Sequence, residues 1–177
     1  MNITITAGTL KKVGLRAIQL IRARTLRGVD VYDKSFKPYS TRAFVMPVGA
    51  VLKKALHKLK DDNEQAVIFT TKSGAKWILI KHGYKALREA MGRQTDVVNL
   101  SIKGAMLRGL TVGTVSTEQR TVQIMFTDAD SALKAWYHNV GGAGKGKTFR
   151  QFLGLSRDDL QDATLRTFLQ EGISVEI

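Results

Sequence analysis

The feature that most limits what this chain can fold into is a change of hydrophobic period. From Thr9 to Arg27, Leu10, Val13, Ala17, Leu20 and Ile21 recur at helical spacing, while Lys11, Lys12, Arg16 and Arg22 lie off that line. The pattern predicts an amphipathic helix, and Gly28 stands where a left-handed residue commonly ends one. From Val97 the habit differs. VVNLSIKG alternates Val98, Leu100 and Ile102 against Asn99, Ser101 and Lys103, and LRGLTVGTVS and RTVQIMFT continue in that way. Three neighbouring alternating runs predict an antiparallel meander. Helices and antiparallel strands grouped in separate runs define an α+β class. The 177 residues are expected to form a single domain spanning 1–177, or one core with an excursion.

Between these regions, GVDVYDKSFKPYSTRAF carries Phe36 and Tyr39 around Pro38, which predicts an ordered loop whose aromatics dock. PVGAVLKKALHKLKDD predicts a short basic helix starting at Pro47, with Val48, Val51, Leu52, Ala55 and Leu59 as its apolar line. AVIFTT (66–71) and KWILIK (76–81), joined by KSGA, read as a hairpin. GYKALREAMG reads as a short helix ending at Gly92. DADSALKAWYHNV predicts a helix capped by Asp128, with Ala132, Ala135, Trp136 and Val140 on one side. Ser156 with Asp159 three residues later is a capping signal for a last helix, and ISVEI predicts a closing strand.

Charge sets the second constraint. The chain has 28 Lys+Arg against 15 Asp+Glu, a net +13. Residues 1–95 hold 19 against 6, and residues 96–177 hold 9 against 9, so the whole excess lies in the first half. A one-sided basic surface suits nucleic acid or an acidic protein face. There is no cysteine, which removes disulfides and thiolate metal sites. No run of 18 apolar residues occurs, and MNITITAGTLKK lacks a signal-peptide centre. No membrane role is expected; the reading is a soluble chain kept in a cell or built into a particle assembled there.

The sharpest motif is GGAGKGKT (141–148), in which Gly141, Gly146, Lys147 and Thr148 fit the G-x-x-x-x-G-K-[ST] phosphate-binding pattern. Such a loop works when it follows a buried strand and opens a helix, so that backbone N–H groups converge on phosphate. Here the segment before it has helical spacing, and FRQFLGLS after it does not. A nucleotide hydrolase using Lys147 and Thr148 is therefore the weakest of three readings, and a mobile glycine loop is expected instead. His57, His82 and His138 are scattered, no serine sits in a nucleophile elbow, and Asp158, Asp159 and Asp162 fall in the first turns of a helix, where the dipole accounts for them. The residues thus indicate no catalytic site, cofactor or metal. Lys11, Lys12, Arg16, Arg22, Arg24 and Arg27 on one helix, with Lys53, Lys54, Lys58 and Lys60 on another, could track phosphates, which keeps a non-specific nucleic-acid-binding protein as the alternative.

Three stretches together resemble a family of tailed-bacteriophage and prophage virion morphogenesis or tail-completion (neck) proteins. They are RTLRGVDVYDKSFKPYS (24–40) with its G-x-D-x-x-x-x-x-F-x-P-Y-S loop, GYKALREAMGRQTDVVNLSIKGAMLRGLTV (83–112) with G-x-M-L-R-x-L, and HNVGG…FRQFLGLS (138–156) with H-x-x-G and R-x-F-L-G-L-S. They cover a little over a third of the chain in the family's order, and Gln151 stands where such proteins often carry proline. The resemblance implies a non-enzymatic subunit of a ring, expected to be hexameric, at the head–tail junction or the proximal tail end. Its partners would be copies of itself and neighbouring connector and tail proteins, with a non-specific contact to packaged DNA. Its location would be the virion, after assembly in the host cytoplasm. Residues expected at subunit or partner interfaces are Lys11, Lys12, Arg16, Arg22, Lys145, Lys147, Phe149, Arg150, Phe152 and Leu153.

Overall fold

The helical stripe at the start of the chain becomes α1, Ala7–Leu26, in a computed structural model that describes residues 5–61, 65–101, 104–144 and 146–172. Thr6 caps it by accepting the Thr9 N–H at 3.0 Å, and Gly28 ends it at φ 80°. Leu10, Val13, Ala17, Ile18 and Ile21 are buried. The class is α+β, as the period change requires, with antiparallel sheets of three and two strands and six helices among the described residues. No described helix is long and apolar enough to cross a membrane.

The chain divides into two compact units, one of Met1–Phe36 with Asn99–Ile177 and one of Lys37–Val98. In the first, α1 packs on α6 (Arg157–Gln170) and on a hairpin of β4 (Leu110–Ser116) and β5 (Thr121–Phe126). The approach to the hairpin is close: a Cβ at Gly14 would lie 2.8 Å from Val122 Cγ2. The hairpin register runs from Leu110↔Phe126 to Ser116↔Thr121, with an irregularity between Val112 and Val115. The short α4 (Ala105–Arg108) precedes the hairpin and α5 (Ala129–Trp136) follows it.

In the second unit, β1 (Phe44–Pro47), β2 (Ala66–Thr70) and β3 (Lys76–Ile80) form an antiparallel sheet in the order β1-β3-β2. Helices α2 (Lys53–Asp61) and α3 (Gly83–Ala90) contribute Ala55, Leu59, Ala86, Leu87 and Ala90 to one buried cluster with Ala66, Ile78 and Ile80 of the sheet. Gly83 is needed where it stands, because its φ is 71° and a Cβ would meet the Ser40 carbonyl at 2.4 Å. Arg88 is 1% exposed, stacks 4.4 Å over the Tyr39 ring, and donates through Nε and Nη2 to the Gln94 carbonyl.

Three expectations change at the level of elements. Pro47 does not open α2 but ends β1, an edge strand where its missing N–H is tolerated, and the helix starts only at Lys53. The first run of the expected meander forms no strand over residues 97–101: Asn99 Oδ1 accepts the Ser101 N–H at 3.1 Å and Leu100 turns to φ 50°. That leaves a two-stranded hairpin where three strands were expected. Ile102, Lys103 and the ISVEI strand lie outside the described residues. The docked aromatics are as expected, with Phe36 and Tyr39 both buried.

Candidate functional site

Helix α5 is fixed at its start by Asp128, whose Oδ1 accepts the Ser131 N–H at 2.7 Å. That hydrogen bond from the Ser131 backbone is also the main reason the Asp128 carboxyl stays below the ordinary aspartate pKa. Ser131 and Ala135 are buried, so they mark the inward face. Leu133, Trp136, Tyr137 and Val140 then recur at i, i+3, i+4 and i+7 on the solvent side, with exposures of 52, 49, 45 and 63%. Trp136 and Tyr137 meet edge to face at 5.2 Å. This helix presents an apolar stripe to solvent, which is the reverse of a normal surface helix. The sequence reading grouped Trp136 and Val140 with Ala135; the buried Ser131 and Ala135 separate them.

A π turn over Tyr137–Gly141 carries α5 into the glycine loop. Asn139 holds this junction, donating through Nδ2 to the Ala135 carbonyl at 2.8 Å and accepting the Leu153 N–H at 2.9 Å. His138 is half-buried, its carbonyl accepts the Arg150 N–H at 2.7 Å, and its Nδ1 is buried without a hydrogen-bond partner. Burial first, and the Arg150 charge second, lower its pKa to about 4, so the ring is neutral at pH 7.

The GGAGKGKT segment closes on itself. Ala143 and Thr148 exchange two backbone hydrogen bonds, at 2.9 and 3.0 Å, and the Lys147 N–H reaches the Gly144 carbonyl at 3.1 Å. Amides that a phosphate loop would aim at its ligand are here engaged within the loop. Helical backbone precedes it and α6 begins only at Arg157, so neither flanking element of a nucleotide-binding loop is in place. Its glycines answer local needs. A Cβ at Gly141 would fall 2.2 Å from the Trp136 ring, and Gly142 takes φ 75° against Lys147. Lys147 itself is exposed at φ 42°; Lys145 lies outside the described residues.

After the loop, Phe149 is 54% exposed, Arg150 and Leu153 are half-buried, and Phe152 is fully buried. Arg24, 3% exposed on α1, anchors this segment: Nη2 donates to the Phe152 and Gly154 carbonyls, and Nη1 pairs with Asp159. Other cations of α1 are similarly engaged. Lys12 pairs with Glu171, Arg16 with Asp162 at 3.5 Å, and Arg22 donates to the carbonyls of Leu107, Arg108 and Leu110. Lys12 first, and Thr9 second, hold the Glu171 carboxyl below its ordinary pKa. A groove of about 310 Å³ beside α1 and α6 is lined by Lys12, Arg16 and Arg166, but Glu171 and Asp162 already answer those charges. Lys11 is exposed. The expected interface residues of α1 thus mainly tie this unit together, whereas Lys147 and Phe149 face solvent.

The second unit holds a surface that the sequence reading missed. Its sheet is apolar on both faces. Phe44, Ile80 and Ala66 form one cross-strand row and Met46, Ile78 and Ile68 the next, both on the side packed against the helices. The opposite face carries Val45, Leu79 and Val67 in one row and Pro47, Trp77 and Phe69 in the other. Val45, Val67 and Phe69 are 46, 45 and 41% exposed, so this face is open to solvent at those residues. The strands and their turn over 42–47 and 65–81 contain Arg42, Lys72, Lys76 and Lys81 and no Asp or Glu. The signal was present in KWILIK: four consecutive apolar residues cannot all point to one side of a strand.

Among the described residues no group of three or more His, Asp or Glu side chains could hold a metal ion. Compared with known proteins, the chain matches no protein-family model, no curated protein and no solved structure.

Proposed function

We propose that this chain is a non-enzymatic structural protein of the head–tail neck or proximal tail end of a tailed phage. In that role it completes the tail or joins it to the head by assembling as a ring, located in the virion. The observation that supports the reading best is the pair of exposed apolar surfaces, the α5 stripe in one unit and the outer sheet residues Val45, Val67 and Phe69 in the other. A subunit that assembles head to tail needs two different surfaces, and isolated apolar patches of this kind mark protein contacts. The residues that carry the family resemblance also act as anchors here: Gly28 ends α1, Phe36, Tyr39, Met106, Leu107 and Phe152 are buried, and Ser156 caps α6. Deleting the gene from the phage that encodes it should leave filled heads and free tails. Intact head–tail particles at normal yield would end this reading.

The alternative of non-specific nucleic-acid binding draws on α2, where Lys53, Lys54, Lys58 and Lys60 are all exposed while Ala55 and Leu59 face the core. It predicts DNA affinity that falls steeply with salt, and a shallower slope when these four lysines become glutamine.

A further inference from the structure

Each of the two units carries apolar side chains that are exposed. The sheet of the second unit has α2 and α3 on one side and an exposed apolar face on the other. Helix α5 and the π turn after it, in the first unit, carry an exposed apolar stripe. From these two faces we infer that α5 of one copy docks on the outer sheet face of a second copy, making a head-to-tail, heterologous contact. A helix laid on the free side of a sheet with helices behind it completes a common three-layer arrangement.

Charge selects this pairing over the alternatives. Two sheet faces brought together would oppose two rims that carry Arg42, Lys72 and Lys81 and no acid, Lys76 sharing the helix-packed side of β3 with Ile78 and Ile80. The α5 stripe instead starts beside the exposed Asp128 and Asp130. Lys134 on the same helix answers Asp130, which leaves the capping carboxylate of Asp128 as the net charge the helix brings to a cationic rim. Single-stranded nucleic acid fits less well. Phe69 and Trp77 could stack bases, but the row of Val45, Leu79 and Val67 offers no π-face. This contact rests on the self-association assumed in the assembly reading. A symmetric dimer would overturn the contact and leave assembly standing.

The test uses two variants that each break one face. Val67→Lys/Phe69→Lys alters exposed sheet positions, and Leu133→Lys/Tyr137→Lys alters exposed helix positions. Analytical ultracentrifugation of the parent should show association, and each variant alone should weaken it at least about 30-fold, the effect of losing an interface hot spot. Mixed in equal amounts, the two variants should form a dimer and nothing larger, because one intact contact remains. No rescue on mixing overturns the inference, and so does a strictly monomeric parent or an oligothymidine complex lost only in the sheet variant. Leu26→Lys, at an exposed leucine outside both faces, should leave association unchanged. Because the chain has no cysteine, a second measurement is clean even if the lysine variants fold poorly. Phe69→Cys and Leu133→Cys chains, mixed and oxidised, should cross-link to each other, and a preference for like pairs overturns the head-to-tail geometry.

Discussion

The two units carry nearly the same net charge and use it differently. The unit of 37–98 has 12 Lys+Arg against 5 Asp+Glu, and the remainder of the chain has 16 against 10. In the larger unit the cations of α1 are tied to backbone carbonyls and to Asp159, Asp162 and Glu171. In the smaller one Lys53, Lys54, Lys58, Lys60, Lys72 and Lys76 face solvent, and Arg88 alone among its arginines is buried. Net charge counted along a sequence therefore does not locate a binding surface. What decides is whether each cation sits over a carbonyl or a carboxylate after folding, as Lys12, Arg16, Arg22 and Arg24 of α1 do.

The largest expected effect tests the structural use of charge. Arg24→Met removes a buried cation that satisfies Asp159 and two carbonyls, and should cost about 3–5 kcal/mol in denaturant unfolding. Its Nε is buried with no partner, so a gain in stability on substitution would show that the arginine is a net burden. Gly83→Val places a side chain into the Ser40–Arg42 backbone at positive φ and should cost about 2–4 kcal/mol. Hydrogen exchange should then show the lost protection within 37–98.

A third effect is set by pH. Folded His138 has a pKa of about 4, below the 6.5 of the unfolded chain, so acid protonates the unfolded state first. Stability should fall as pH drops from 6.5 toward 4, by on the order of 1–3 kcal/mol after allowing for partial exposure. His138→Asn should flatten that profile between pH 6.5 and 5, and an unchanged slope would remove His138 as its source. The smallest effect falls on α2: changing Lys53, Lys54, Lys58 and Lys60 to glutamine should move stability by less than about 0.5 kcal/mol each. A large loss there would mean these lysines are structural, as Lys12 of α1 is.

Much of this was legible before folding because it was local. The Asp128 cap, the Ser156–Asp159 capping box, the Gly28 stop and the β2–β3 hairpin depend on residues only a few positions apart. β1 was not legible, since FVMP is too short to show a period and becomes a strand only by pairing with β3. Residues 97–101 alternate like a strand, yet the Asn99 side chain captures the local backbone first. GGAGKGKT matched a motif whose meaning lies in the flanking elements, and those elements are different here. The apolar stripe was legible as helix but not as surface, because periodicity shows that a face is apolar and not which neighbour covers it.

Arg24, Arg22 and Thr9 have a consequence for the order of synthesis. Their partners lie 85 to 162 residues further along the chain, up to Glu171. Helix α1 is therefore made well before the residues that complete its contacts. The sheet of 37–98 has all its strand partners within one contiguous stretch. During translation α1 must wait with its apolar side and its arginines unmatched, which makes that interval the point at which chaperone capture of this protein should be concentrated.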